Sequence, residues 1–329
     1  MDFTLTREQK EVLDRTEEAC GILRKKEEQS WHAGEINAEL ERVLKRSRLM
    51  NFPLSAKYGG EGGDFMLYGM LLERIGQEGL SPHSFMLSHD SSALTLQNHA
   101  TDDQCTNFLS STLASPLGKH FVKYDKEPGG YVLNGEKSFV VNALSSDIFT
   151  VFAEGNGGRT SFVVRKGDGV NVERLKHHGL RSADIGKVKF TDFFVRKENI
   201  IGTEGLGWKV EETHSNLAKL ISAAGYSGAA KDTLQELADI KNTSKKIKAS
   251  VEAASLLTKQ AFFLHEQAKK NKQLAAQAKE QSELANIFAY KTGMNAAKYG
   301  VMKLGSQIDE DRTSRAMRHF MDLAVARYC

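Results

Sequence analysis

The stretch GYVLNGEKSFVV, residues 130–141, decides the architecture of the middle of this 329-residue chain. β-Forming residues lie on both sides of Asn134-Gly135, and Asn-Gly in that setting is the strongest short-range signal for a β-hairpin. Gly155-Asn156-Gly157-Gly158 lies between two later β-rich runs and predicts a second hairpin turn. The β-rich runs after residue 141 are Ile148–Ala153, Thr160–Val164, Val170–Leu175, Lys187–Phe190 and Phe193–Val195. Short strands at this spacing predict a small antiparallel sandwich or barrel, not a sheet of alternating strands and helices.

Helical patterns lie on both sides of this β-rich region. Thr6 and Gln9 have the spacing of a capping box, and further helices are predicted over residues 37–50 and 64–78. From Trp208 onward the apolar residues recur near the helical period. The sequence therefore predicts an α+β fold of three parts, namely an N-terminal helical domain (1–115), a central antiparallel β-domain (116–204) and a C-terminal helical bundle (205–329).

The composition excludes several classes of protein. Of the residues, 40% are hydrophobic and 26% are charged, which is typical of a soluble globular protein with a sizeable core. No run of about 18 apolar residues is present to span a bilayer, and the polar start MDFTLTREQKEV is not that of a signal peptide. Cys20, Cys105 and Cys329 are too far apart for a zinc-site spacing. We therefore expect a cytoplasmic protein without a metal site.

One stretch of the chain is strongly basic. Residues 241–280 contain nine Lys and three Glu, a local charge of +6 within a chain whose formal net charge is +3. Such a patch can attract nucleic acid or a phosphorylated ligand. We favour a solvated helix face, because the only two aromatic residues, Phe262 and Phe263, are adjacent and not interleaved with the lysines.

Five motifs follow one another between residues 52 and 209. They are Phe52-Pro53 with Tyr58–Asp64, Asp103-Gln104 with Phe108-Leu109, Gly130–Lys137, Gly179–Asp184, and Asn199–Lys209. In this order they resemble segments of the acyl-CoA dehydrogenase superfamily of flavoproteins, such as Y-x-L-N-G-x-K and G-x-R-x-S-D. The chain is identified by this resemblance as a divergent, shortened member, and the implied fold is again helical domain, β-domain and helical bundle.

The resemblance implies a chemistry and a set of site residues. Members of the family oxidise an acyl-CoA: a glutamate removes the α-proton while FAD accepts the β-hydrogen as hydride. The segment that lies against the flavin ring corresponds here to Phe139, Val140, Val141 and Asn142, and the substrate-binding positions correspond to Arg181 and Lys219. The family also implies an acyl-thioester ligand and assembly as a homo-oligomer or as a hetero-oligomer with a paralogue.

The catalytic glutamate of the family has no counterpart. In one branch it follows an R-D-A segment, which corresponds to Arg318-His319-Phe320 and places Arg327 at the glutamate position. In the other branch it immediately precedes an arginine, where this chain has Ala218 before Lys219. The catalytic residues are therefore unknown. Glu211, Glu212 and His214 lie nearby on the same predicted helix, and we favour exposed polar residues over substitute bases.

The flavin-contacting motifs also depart from the family. Val141 replaces a threonine and cannot donate that threonine's hydroxyl hydrogen bond. A T-E-P-x-A-G-S-D motif expected between Phe108 and Lys123 is missing. The family's arginine before F-G-x-x-I has no counterpart in 237–243, and its G-G-x-G-Y turn is reduced to one glycine in 305–309.

Three hypotheses remain, of which the third is flavin-free enzyme chemistry on a thioester in the inherited cleft. The first is an FAD-linked oxidoreductase of acyl thioesters, by descent, with a degenerate flavin site and no recognisable catalytic glutamate. The alternative is a flavin-free, non-catalytic partner or binding subunit of the same fold. A carboxylate base and an oriented flavin each contribute orders of magnitude in rate, so their loss favours the alternative, while descent favours the first.

Overall fold

The computed structural model describes residues 6–111, 113–114, 122–240, 243–306 and 310–327. Helices come first, then a sheet, then helices again, so the predicted α+β order is confirmed. The helices are α1 Arg7–Ala33, α2 Leu40–Arg46, α3 Phe65–Glu78, α4 Leu80–His99, α5 Asp102–Phe108, α6 Gly207–Glu236, α7 Lys245–Lys270, α8 Ala275–Gly305 and α9 Glu310–Ala326. The strands are β1 Leu113–Ala114, β2 Val122–Glu127, β3 Gly130–Val141, β4 Ile148–Gly155, β5 Gly158–Arg165, β6 Val170–Arg174, β7 Ile185–Arg196 and β8 Ile200–Ile201.

The N-terminal helices begin where the sequence places them. Thr6 caps α1 with the predicted capping box, and Asp64 caps α3 by accepting a hydrogen bond from the Leu67 backbone N–H at 2.8 Å. Helix α2 is shorter than the predicted 37–50. The helix ends at Arg46 and does not continue, because the backbone at Arg48 and Asn51 has left-handed conformations, with φ of 55° and 62°.

A capping box also fixes α5, and it gives a first testable prediction. The Thr101 hydroxyl accepts a hydrogen bond from the Gln104 N–H, and the Gln104 side chain accepts one from the Thr101 N–H. We expect Thr101→Ala to lower the free energy of unfolding by about 1 kcal/mol, because the Gln104 N–H loses the hydroxyl that accepts its hydrogen bond. Urea denaturation measures this loss. Thr101→Ser keeps the hydroxyl and should retain most of the stability; an equal loss in both variants would contradict the capping role.

The predicted hairpin at Asn134-Gly135 is wrong. Residues 130–141 form the single strand β3. The hairpin turn lies before this strand, at Pro128-Gly129, where Glu127 of β2 pairs with Gly130. Gly129 supplies the positive φ of 87° that such a tight turn needs. Asn134 instead exchanges hydrogen bonds with Asp192 of β7 at a register shift of the β3–β7 ladder.

The sheet is mixed and not purely antiparallel. Its strand order is β6-β7-β3-β2-β4-β5-β8, with β1 beside β4, and β4 pairs in parallel with both β1 and β2. The second hairpin prediction is confirmed, since Gly155 pairs with Gly158 across the two-residue turn Asn156-Gly157. The two predicted runs 187–190 and 193–195 are one strand, β7.

Helix α6 is the central element of the helical part. It packs on α3, α4 and α8, and small residues let α3 approach closely: a Cβ on Gly76 would lie 2.7 Å from the Gly225 carbonyl oxygen. One large core joins the helices to one side of the sheet, and a second core lies within the β-domain around Phe149, Phe162 and Phe190. Helix α6 is thereby held in a fixed position against its neighbours.

None of the helices in the described residues contains a stretch long and apolar enough to cross a bilayer. The same part of the chain contains no cluster of three or more His, Cys, Asp or Glu side chains suited to hold a metal ion. Parts of three segments lie outside the described residues: 112 and 115–121 in the segment where the T-E-P motif is expected, 241–242 within 237–243, and 307–309 within 305–309. Cys329 also lies outside them.

Candidate functional site

A cavity of about 520 Å³ lies between α6, α8 and the end of α9. This volume is within the range of small-molecule sites in proteins. Positions on α6 and α8 that line the cavity recur three or four residues apart, as expected for one face of a helix. The lining residues are Ser215, Ala218, Lys219, Ser222 and Tyr226 from α6, Asn286, Ile287, Tyr290 and Lys291 from α8, and Ala326 and Arg327 from α9 and its end.

The two positions where the resemblance places a catalytic glutamate meet in this cavity. Ala218 lies on α6 and Arg327 follows α9, far apart in the sequence, and both line the same space. A base at either position must reach the same substrate atom, so the two positions should lie close together in the fold. That both residues line one cavity supports the motif-based assignment of these positions. No carboxylate is among the described residues that line the cavity.

Three cations border the cavity. The Lys219 ammonium forms an ion pair with Glu283 at 3.1 Å, and the Lys219 carbonyl oxygen accepts a hydrogen bond from the Asn286 amide at 3.1 Å. Within the part of the chain that the structure describes, neither Lys291 nor Arg327 has a carboxylate within 4.0 Å. The described lining is therefore positively charged, with one cation neutralised by a neighbour outside the cavity.

The floor of the cavity is aromatic and hydroxylic. Tyr226 and Tyr290 meet edge to face with ring centroids 5.5 Å apart, and Tyr226 is buried to all but 7% of its surface. Ser222 is buried to a similar extent one turn earlier on α6. These groups combine apolar surface with hydroxyl donors, which is the usual lining of a ligand pocket.

The three side chains considered as substitute bases point elsewhere. Glu211 pairs with Arg159 of β5, and Glu212 pairs with Lys279 of α8. His214 is buried beside Thr95 and Phe152, and burial lowers its pKa to about 4. None of the three lines the cavity. Glu211 and His214 are not the exposed residues that the sequence suggested, because α6 packs on β5 and α4 at these positions.

The predicted flavin-contacting residues use most of their polar groups within the protein. The Asn142 amide donates to the Phe85 carbonyl at 2.9 Å, and the Asn142 backbone N–H donates to the Asp184 carbonyl at 2.8 Å. The Ser88 hydroxyl donates to the Val141 carbonyl at 2.9 Å. These bonds tie the end of β3 to α4 and to the start of β7.

The space beside these residues is small. Val141 and Asn142 line a cavity of about 90 Å³ between the α1–α2 connection, α4 and the loop before β7. Ligand sites in proteins usually measure about 300–1,000 Å³. Val140 is buried in the β-domain core, and the Phe139 side chain is 37% exposed at a φ of 59°.

The predicted substrate-binding residues Arg181 and Lys219 lie in different clefts. Arg181 borders a space of about 290 Å³ together with Arg174, Lys176 and His177, at the end of α1. Its guanidinium lies 5.1 Å from the centre of the Trp31 ring and donates to the His32 carbonyl at 3.2 Å. Lys219 borders the cavity between α6 and α8. The structure thus brings Lys219, Ala218 and Arg327 together and leaves Arg181 apart.

Several lining residues were missed by the sequence analysis. Tyr226 lies two turns beyond Lys219 on the same face of α6, so helical spacing alone could have identified it. Tyr290 and Lys291 could not be found in this way, because the register of α8 against α6 depends on long-range packing.

The chain is similar to known proteins both in sequence and in fold. Family models for the N-terminal and middle domains of acyl-CoA dehydrogenases match residues 6–115 and 114–193. The chain is similar to a short-chain-specific acyl-CoA dehydrogenase of Clostridium acetobutylicum, at 27% identity over 72% of this chain and 69% of the relative. It is 28% identical to the mitochondrial isovaleryl-CoA dehydrogenase of Oryza sativa subsp. japonica, over 52% of this chain and only 48% of that enzyme.

Solved structures show the same fold. Butyryl-CoA dehydrogenase from Megasphaera elsdenii superimposes with a TM-score of 0.88 at 21% identity, covering 100% of this chain and 95% of that one. A glutaryl-CoA dehydrogenase from Mycobacterium smegmatis in complex with FADH2 superimposes with a TM-score of 0.81 at 16% identity, covering 98% and 91%. The helical, β and helical domains thus correspond along nearly the whole length of both chains.

Proposed function

The chain belongs to the acyl-CoA dehydrogenase family, and on that premise we propose that it binds an acyl thioester without oxidising it through a carboxylate base. The proposed role is that of a binding or partner subunit of this fold. One observation carries the proposal: Ala218 and Arg327, which stand at the two base positions, line one cavity whose described walls contain three cations and no carboxylate.

The loss of the base removes proton abstraction from the α-carbon. A positioned general base contributes about 10²–10⁴-fold to a rate. A lysine or arginine side chain donates hydrogen bonds and accepts none, so beside the α-carbon it holds an anionic or polarised oxygen and does not replace a carboxylate base. The residues of this cavity are therefore suited to hold a thioester in place and not to remove its proton.

The flavin-contacting segment supports the same reading. FAD, when bound, supplies the acceptor for the hydride from the β-carbon. Val141 offers no hydroxyl, the Asn142 amide is used by Phe85, and the space that both residues line is about 90 Å³. We infer that this segment is a flavin-binding segment that has lost its flavin contacts, and no step of the proposed function requires FAD.

A second candidate is an FAD-dependent oxidoreductase with an unorthodox base. The observation in its favour is a main-chain donor. The backbone N–H and C=O groups of Val140 and Asn142 are directed toward β7. These groups alternate in direction along a strand, so those of Val141 are directed to the opposite side, toward α4. The Val141 N–H is therefore directed away from β7 and could contact a ring system without any side chain.

The absorbance spectrum of the purified protein separates the two candidates. We expect no flavin absorbance in the visible range, and none after incubation with FAD and removal of the excess. Calorimetric titration of the same preparation with butyryl-CoA should nevertheless give a binding isotherm. Near-stoichiometric flavin that is bleached anaerobically by butyryl-CoA would overturn the proposal in favour of the oxidoreductase.

Assembly with a further subunit is part of the proposal. Apolar side chains are exposed on the outer faces of α7 and α8, among them Leu256, Phe263, Leu284 and Met302. Such residues are typical of an interface between subunits. We propose a homo-oligomer, or a hetero-oligomer with a paralogue, and light scattering of the purified chain tests the former. The cytoplasmic location stays a prediction.

A further inference from the structure

We propose that the ligand of the cavity between α6, α8 and α9 carries a carboxylate on the α-carbon of its acyl group, as a malonyl-type thioester does. This proposal rests on the proposed function, since it assumes that the cavity takes a thioester. It adds the chemical class of the acyl group, which is an anion and not a plain hydrocarbon chain.

The first support is the charge of the lining. Lys219, Lys291 and Arg327 border the cavity, and Glu283 neutralises only Lys219. Lys291 and Arg327 have no carboxylate partner among the described residues. The cavity that they line also includes buried apolar surface, such as the ring of Tyr226. The side chains of Lys291 and Arg327 are solvent-exposed, and a bound anion within reach of both is attracted by each of them.

The second support is the place where the charge lies. In the family the catalytic glutamate stands beside the α-carbon, and the motif resemblance assigns its two alternative positions to Arg327 and Ala218, which both line the cavity. Arg327 brings a positive charge where the family has a negative one. Ala218, which lines the same cavity, has a short side chain where the family's other branch has a glutamate. A substituent on the α-carbon can therefore be accommodated near the short side chain of Ala218 and form an ion pair with Arg327.

The third support is the match of the donors to a carboxylate. A guanidinium offers parallel N–H groups that fit the two oxygens of a carboxylate, and an ammonium adds a point charge. Tyr226 and Tyr290 place hydroxyl donors on the same walls. A neutral straight-chain acyl group forms no ion pair with Lys291 or Arg327, so it should bind more weakly.

Calorimetric titration of the purified full chain tests the proposal with three probes. Malonyl-CoA carries the carboxylate on the α-carbon, succinyl-CoA carries it one carbon further away, and butyryl-CoA carries none. We expect malonyl-CoA to bind at least about tenfold more tightly than butyryl-CoA. Succinyl-CoA, with the same charge, should fall between them.

Substitutions then locate the effect. Arg327→Gln and Lys291→Gln should each remove most of the malonyl-CoA preference, measured as the ratio of the malonyl-CoA affinity to the butyryl-CoA affinity. Lys298→Gln is the matched control, because Lys298 is exposed two turns along α8 from Lys291 and does not line the cavity. It should change neither affinity. Circular dichroism of each variant checks that the fold is intact.

The outcomes distinguish this proposal from the one on which it rests. If butyryl-CoA binds as tightly as malonyl-CoA, the anionic class is overturned while thioester binding stands. If succinyl-CoA equals malonyl-CoA, or if Lys298→Gln lowers the preference as much as Arg327→Gln does, the placement of the charge at the α-carbon is overturned. If none of the three thioesters binds, the proposed function and this inference both fall.

Discussion

Replacing Gly228 by alanine is expected to lower the free energy of unfolding by roughly 3 kcal/mol, which is at the upper end of overpacking effects. A Cβ at this position would lie 2.2 Å from the Glu73 carbonyl oxygen and 2.9 Å from the Gly76 carbonyl carbon. Both atoms belong to the backbone of α3, so no side-chain rotation relieves the clash. Helix α6 must shift, and with it the residues that line the ligand cavity.

Urea denaturation of the variant measures this effect, and Gly21→Ala is its matched control. Gly21 lies inside α1 and a Cβ there meets no atom within 4 Å, so alanine should raise stability by about 0.5–1 kcal/mol. Butyryl-CoA affinity should fall in Gly228→Ala and stay unchanged in Gly21→Ala. A Gly228→Ala variant as stable as the wild type would contradict the close approach of α3 and α6.

The second large effect concerns Asp90, a buried carboxyl on α4. Burial raises its pKa from 3.8 to about 7, and hydrogen bonds from the Tyr68 hydroxyl and the Asn51 N–H offset only part of this rise. In the unfolded chain the group ionises near its ordinary pKa. Between about pH 4 and pH 7 the folded state therefore holds a proton that the unfolded state has lost, and stability falls as pH rises.

Asp90→Asn removes this penalty because its side chain stays neutral. We expect the variant to resemble the wild type at pH 4 and to become progressively more stable than it up to pH 7, by as much as about 4 kcal/mol. Denaturation of both proteins at a series of pH values gives the difference directly, since the other titrating groups are common to both. A difference that does not change with pH, or that favours the wild type more as pH rises, would contradict the raised pKa.

The sequence predicted the order of the domains because local signals and the resemblance agree. Caps such as Thr6 and Asp64 act within one turn of a helix, so they can be identified without knowing the tertiary structure. The hairpin at Asn134-Gly135 failed for the opposite reason. Asn134 pairs with Asp192 on β7, and this pairing keeps Asn134-Gly135 within a strand although the dipeptide favours a turn. A contact between residues so far apart cannot be predicted from a short stretch of sequence.

The candidate site was predictable only in part. The motifs assigned Ala218 and Arg327 to the base positions one at a time, and the structure shows that they share a cavity. Tyr290 and Lys291 depend on how α8 packs against α6, which periodicity does not determine. The separation of Arg181 from Lys219 likewise results from tertiary packing, since Arg181 lies beside Trp31 at the end of α1.

The exchange of the α-protons of butyryl-CoA with D₂O, followed by NMR in the presence of the purified protein, tests the central claim most directly. A carboxylate base catalyses this exchange whether or not a flavin is present, because exchange requires proton removal alone. The account predicts that butyryl-CoA binds and that its α-protons exchange at the rate seen without protein. Exchange about a hundredfold or more above that rate would show a working base in the cavity and contradict the account.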